Sequence, residues 1–381
     1  MTISLTQIIA AIEAKSNTTD SSSSISDVLR LSVGAEAVSD GTILYDSAGV
    51  MPTDSAFIGT MAAASDGTIY FYNGTAWNAV DSAETIAPPP PPATQAQGTV
   101  SGYSSGGQSA PSTFPNVIEK YSFTSDANAT DVGDLTIGRM DTAGQSSTDN
   151  GYASGGAGLP FITLFNTIDK FPFSADANAT DVGDLISAIR APAGQSSTIS
   201  GYSSGGYPPA SNIIQKFPFS VDANTTDVGD LTVARGYNAG QSSTTHGYTS
   251  GGFSTTNIID KFPFSVDANA ADVGDLTLAR AYLAGHSSSD NGYASGGASP
   301  YTNTIDKFPF ASDANATDVG DLTVLKFKGS GTSSTASGYN HGAFTPPYQN
   351  IIDKFPFSTD TNASDVGDLT QGKSGASGQQ V

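Results

Sequence analysis

Cysteine is absent from all 381 residues, and tryptophan occurs once, as Trp77. Without cysteine there are no disulfides, no thiolate nucleophiles and no thiolate-held metals. Charged residues make up only 13% of the chain, which argues against a largely helical, salt-bridge-laced protein. Positive charge is the scarcer kind: 15 Lys and Arg stand against 36 Asp and Glu, for a net charge of −21. So acidic a chain lacks the electrostatic drive towards nucleic acid or an anionic membrane, and neither is expected as a partner. No apolar run is long enough to span a bilayer, and the opening MTISLTQIIAAIEAK lacks the basic segment and apolar length of a secretory leader. Histidine is scarce too. His246, His286 and His341 fall at different positions of the repeat described next, and no Ser-His-Asp order, H-x-x-x-H pair or phosphate-cradling glycine loop is present. No enzymatic activity, cofactor or metal is expected.

What the chain has in abundance is repetition. The string DVGDL begins at Asp131, Asp181, Asp227, Asp272, Asp318 and Asp365, in steps of 50, 46, 45, 46 and 47 residues. A period of this length marks a repeat architecture. Each copy offers four strand-like pieces, here GQSST (Gly240–Thr244), GYTSGG (Gly247–Gly252), NIIDKFPF (Asn257–Phe264) and, after an acidic loop, DLTLAR (Asp275–Arg280). The first two are joined by short breaks such as Asp149–Gly151 and Asp290–Gly292, residues that tolerate positive φ. Four strands repeated six times predict an all-β, six-bladed β-propeller. The closing residues Gly378-Gln379-Gln380-Val381 align with the start of a seventh GQSST, while the first unit opens on the degenerate Gln95–Thr99. A terminal segment is therefore expected to complete a blade built mainly from the other end, removing an open edge.

Within each copy a Gly-Gly pair is followed by an aromatic-centred strand and then a basic residue. This order resembles the kelch repeat over residues 95–381. The double glycines are Gly106-Gly107, Gly155-Gly156, Gly205-Gly206, Gly251-Gly252 and Gly296-Gly297, with Gly342-Ala343 in the last copy. Tyr121, Phe171, Phe217, Phe262, Phe308 and Phe355 match the aromatic position. Arg139, Arg190, Arg235 and Arg280, then Lys326 and Lys373, match the basic one. The family's tryptophan is missing from every copy.

Residues 1–87 have a different texture and read as a small α+β domain, followed by a Pro-rich linker over 88–94. Ser4 and Gln7 have capping-box spacing, and Leu5, Ile8, Ile9 and Ile12 fall on one face of a short helix. That stripe either packs on its own domain or meets an assembly partner, including further copies of this chain. Asn73-Gly74 between IYFY and TAWNAV predicts a hairpin. The stretch Phe57–Val80, carried by Ile58-Gly59, Asp66-Gly67, Ile69-Tyr70, Asn73-Gly74 and Trp77, resembles a module found near the start of tail-fibre and other virion proteins of tailed bacteriophages. Pro88–Pro92 suits a stiff spacer, about 15 Å long at ~3.1 Å per residue.

Two features could carry function. The pattern D-x-N-x-x-D-x-x-D (Asp126, Asn128, Asp131, Asp134 and sisters) has oxygen ligands at a spacing that calcium can use, but it fits Asx turns better. The Asp-Lys pair of the third strand, as in Asp260-Lys261, should reach neighbouring blades, because adjacent strand residues point to opposite faces. The part that varies most is the loop after the double glycine. It keeps Phe114, Phe161, Phe165, Tyr207, Phe253, Tyr301, Phe344 and Tyr348, the candidate receptor-binding residues. The resemblance implies a virion structural protein (fibre, whisker or head decoration) with other virion proteins and a host-surface receptor or glycan as partners. The alternative is a kelch-like protein- or carbohydrate-binding propeller outside any virion.

Overall fold

The computed structural model describes residues 97–159, 163–253 and 256–381, and the backbone of four short strands before them. The chain divides into two compact units, Met1–Pro90 and Pro91–Val381. In the first, Leu44–Tyr45, Met61–Ala64, Ile69–Tyr72 and Trp77–Ala79 form one sheet in that order. Tyr72 pairs with Trp77, so the last two strands run antiparallel. The stripe Leu5, Ile8, Ile9 and Ile12, the proline run and Phe161 lie outside the described residues.

The second unit is a six-bladed β-propeller of four-stranded antiparallel sheets. In the second blade the strands are, from the axis outward, Ala143–Ser146, Asn150–Ser154, Thr167–Pro172 and Thr180–Asp184. The tight turn after the innermost strand is held by Ser147, whose Oγ accepts the N–H groups of Asp149 (3.3 Å) and Asn150 (2.9 Å). The second and third strands are covered on both sides by neighbouring blades, so they carry apolar residues without strict alternation. Between blades lie apolar wedges: Tyr152 packs on Phe217 and Phe219 of the next blade at 5.3 and 5.0 Å, and Tyr202 on Phe262 and Phe264 at 5.6 and 4.9 Å. Burying each such ring contributes roughly 1.5–3 kcal/mol. At the axis, a Cβ built on Gly144, Gly194, Gly240, Gly285, Gly331 or Gly378 would collide with the carbonyl oxygen of its counterpart in the preceding blade. The innermost strands therefore approach one another more closely than side chains would permit.

The outermost strand corrects the expectation. It is Ala271–Asp275 and its sisters, from Thr130–Asp134 to Ser364–Asp368, so the second half of the acidic stretch is strand. DLTLAR instead carries the chain across to the next blade. The string DVGD reads as a turn, but here its glycine kinks an edge strand: Gly274 has φ +155°, opposite a register shift between Ile259 and Asp260. Charged residues on an outer edge also discourage pairing with other chains.

Ring closure follows the expected pattern, and the C-terminal end supplies it. Ser377–Gln380 is the innermost strand of the first blade, beside Ser101–Ser105, Val117–Ser122 and Thr130–Asp134. The segment leading into this blade is tied in as well. The Gln97 amide donates to the Ser287 carbonyl (3.2 Å), and Gly98 N–H to that of Ser333 (2.8 Å). Thr99, Val100 and Ser101 donate their N–H groups to the Val381 carbonyl at 2.9, 2.7 and 3.0 Å.

Candidate functional site

The innermost strands all run from one face of the disc to the other. The crossings between blades and the loops after the double glycines therefore share one face. The tight turns and the acidic loops share the opposite one.

On the acidic face the contacts repeat around the full ring. Lys120–Asp176 (3.3 Å), Lys170–Asp222 (2.5 Å), Lys216–Asp267, Lys261–Asp313 (2.5 Å), Lys307–Asp360 (2.6 Å) and Lys354–Asp126 (2.9 Å) each join one blade to the next. This is the inter-blade pairing expected for the strand lysines. Asp134 N–H donates to Asn178 Oδ1 (3.1 Å), and the series closes with Asp368 and Asn128 (3.0 Å). Asp131 Oδ1 accepts Gly133 N–H in an Asx turn. The loop oxygens thus serve turns and joints, and among the described residues no group of three or more His, Cys, Asp or Glu could hold a metal.

The acidic partner of the strand pair points inward. Asp169 meets Arg139 (3.0 Å), Asp260 meets Arg235 (3.0 Å), Asp306 meets Arg280 (2.8 Å), Asp353 meets Lys326 (3.4 Å) and Glu119 meets Lys373 (2.5 Å). All ten side chains are fully buried. Burial pushes the Lys326 ammonium down to about 8, against the pull of Asp353. The third blade departs. The residue at the cation's position is Ile189, whose carbonyl accepts Gly156 N–H as that of Arg235 accepts Gly206 N–H. Arg190, matched to the basic position in the sequence, lies one residue beyond it. Its would-be partner is neutral as well: Gln215 occupies the aspartate position and accepts Ile186 N–H (2.7 Å).

The opposite face is built on another closed ring. Asp141, Ala191, Tyr237, Tyr282, Lys328 and Gly375, one per blade, have φ between 54° and 65°. Each donates its N–H to the carbonyl of its counterpart in the preceding blade, at 2.6–3.2 Å. A left-handed backbone costs non-glycine residues about 1–3 kcal/mol each, and the hydrogen-bonded ring holds them there. Their side chains meet over the axis. Lys328 reaches both carboxylate oxygens of Asp141 (2.8 and 2.9 Å), crossing Gly375, which has no side chain to block it. Lys328 Nζ also lies 5.2 Å from the Tyr237 ring centre and 5.7 Å from that of Tyr282. The Arg190 guanidinium lies 5.7 Å from the Tyr237 ring centre. Burial and the nearby Asp141 charge hold the Tyr237 phenol far above its ordinary range.

From this centre an aromatic belt extends across the mouth. Tyr237 and Tyr282 are 4.3 Å apart, and Tyr282 and Phe327 4.5 Å. Tyr207 touches Tyr237 (6.0 Å) and Phe253 (5.6 Å). Phe327 touches Tyr301 (5.8 Å) and Phe344 (6.3 Å), and Phe344 touches Tyr348 (4.8 Å). Phe253 and Tyr301 are well exposed, at 45% and 58%. Five candidate residues of the variable loops are therefore gathered into one surface. Phe114 and Phe165 make none of the ring contacts of this belt; the Phe165 ring packs near Gly158. Tyr237, Tyr282, Phe327 and Arg190 were not singled out as binding residues, because they lie in the crossings rather than in the loops of varying length. Beneath the mouth, an axial cavity of about 100 Å³ is lined by Thr142, Pro192, Asn238, Leu283, Ser330 and Ala376 among others. It has room for a few waters but not for a sugar.

The histidines are scattered. His246 sits at the tight turn after an innermost strand, bonded to Thr245 Oγ1 (2.8 Å). His286 bridges Ser295 Oγ (2.7 Å) and the Thr332 carbonyl (3.1 Å), and burial pushes it down to about 4. His341 is buried without a hydrogen-bond partner for either ring nitrogen among the described residues, 5.6 Å from Tyr121. Desolvation first, and then Lys373, Lys326 and His286, hold it well below the usual imidazole range.

Compared with known proteins, the chain matches no family model and no curated sequence.

Proposed function

We propose that the propeller is a non-enzymatic binding head that takes a host-surface saccharide on its aromatic mouth. The whole chain would be a virion structural protein of a tailed bacteriophage, docked to other virion proteins through residues 1–87. The convergence of Tyr207, Phe253, Tyr301, Phe344 and Tyr348 with Tyr237 and Tyr282 carries the first half. Sugar rings lay their C–H faces on aromatic rings, and such side chains dominate small-ligand sites. The second half rests on the likeness of Phe57–Val80 to tail-fibre modules. The kelch-like reading rests on the double glycines, the wedge aromatics and the buried basic position.

The test has two arms. Labelled propeller should bind host cells, and the Phe253→Ala, Tyr301→Ala double variant should abolish binding while melting at the same temperature as the parent. An antibody to the propeller should sediment with virus particles. A head that binds saccharide but never accompanies particles is a kelch-like binding propeller outside a virion. Binding that survives loss of both aromatics removes the mouth as the site.

A further inference from the structure

Of the 13 Lys and Arg in the described propeller, 12 form an ion pair with Asp or Glu. Arg190 forms none among the described residues, in a chain with more than twice as many acids as bases. Among the described residues its Nε is buried without a hydrogen-bond partner. Its backbone is fixed by paired bonds with Tyr207 at 3.1 and 2.9 Å, and its guanidinium is braced on Tyr237. In the sister blades this position is Met140, Gly236, Ala281, Phe327 and Ser374, so the fold does not require a cation there. The buried cation of the third blade has been replaced together with its acid, by Ile189 and Gln215, while a guanidinium stands one residue on, at the mouth. The other mouth cation, Lys328, is already taken by Asp141.

We propose that Arg190 binds the carboxylate of an acidic saccharide whose ring lies on the belt beside it. This rests on the saccharide reading above and narrows it to carboxylated sugars. A guanidinium offers parallel N–H donors that match a carboxylate's two oxygens, and bracing on Tyr237 lowers the entropy lost on binding. The acidic loops on the far face leave the mouth the more favourable side for an anion.

The experiment is an array of uronate and sialate oligosaccharides, each spotted beside its neutral methyl ester. The full-length protein should bind at least one acid form roughly tenfold or more tighter than its ester. Arg190→Gln should lose that preference and keep the ester's affinity, and Arg190→Lys should retain part of the preference. Both should fold, since Gly236 and Ala281 occupy the equivalent position; circular dichroism and melting confirm it. Equal binding of acid and ester by the parent overturns the role of Arg190 and leaves the saccharide reading standing. Binding to no member of the array overturns both. If Arg190→Gln loses acid and ester alike, Arg190 merely positions Tyr237, and the carboxylate assignment falls.

Discussion

On the acidic face the same ion pair and the same Asn–Asp hydrogen bond recur in every blade. On the mouth face, the ring position is Asp141, Ala191, Tyr237, Tyr282, Lys328 and Gly375, different nearly every time. Both faces come from the same repeats and both carry backbone hydrogen bonds from blade to blade, so the difference lies in whether side chains join in. The acidic face adds a repeated ion pair and a repeated Asn–Asp bond to a backbone bond such as that from Ala179 N–H to the Asp134 carbonyl (2.7 Å). The mouth joins them through backbone N–H and carbonyl groups, which leaves the side chains free to change without opening the ring. Variation collects on the face whose repeated joint needs no side chain.

The comparison breaks most visibly at the buried pairs beneath both faces. Arg235→Ile should destabilise the propeller by about 3–5 kcal/mol, because Asp260 is left charged and unpaired. Adding Asp260→Gln copies Ile189 and Gln215 of the third blade and should recover most of that loss in urea unfolding. If the double variant is no better than the single one, the third blade is not a neutral version of its sisters.

Acid should act next, at the buried histidines. A lowered imidazole pKa means that the unfolded chain takes up a proton the folded one refuses. Stability from His286 is thus complete above about 6.5 and lost as the pH falls towards 4. The slope is up to about 1.4 kcal/mol per pH unit, and His341, held well below the usual imidazole range by its burial, acts in the same direction. His286→Gln and His341→Ser restore the residues of sister blades, and the difference in slope from the parent between pH 7 and 4.5 measures the effect.

The smallest effect belongs to the acidic face. Lys261→Ala removes a partly exposed pair and should cost less than about 1 kcal/mol, and less still in high salt. Lys170→Ala and Lys307→Ala should behave alike, because their joints are equivalent. Unequal effects would mean that the ring is not as regular as its geometry.

The repeat made the blade count and the closing strand legible, because wedge aromatics and glycines recur at fixed spacing. The outermost strand was hidden, since Asp-Val-Gly-Asp is turn-like by composition and becomes strand only through a neighbour that supplies its pairing. The mouth was legible in its loops, where length and aromatics changed together. It was hidden in its crossings: Tyr237 and Tyr282 sit where the chain only passes between blades, and their left-handed backbone leaves no mark in a single sequence. Arg190 was misplaced by one residue, because a basic residue near the right spacing looks the same whether buried with an acid or standing free.

The segment entering the ring has a mechanical meaning. Gln97 hangs on the fifth blade, Gly98 on the sixth, and Thr99 to Ser101 on Val381 of the first. Tension applied at residue 97 is therefore shared by three blades instead of peeling away one strand, so the entry point doubles as a strain relief.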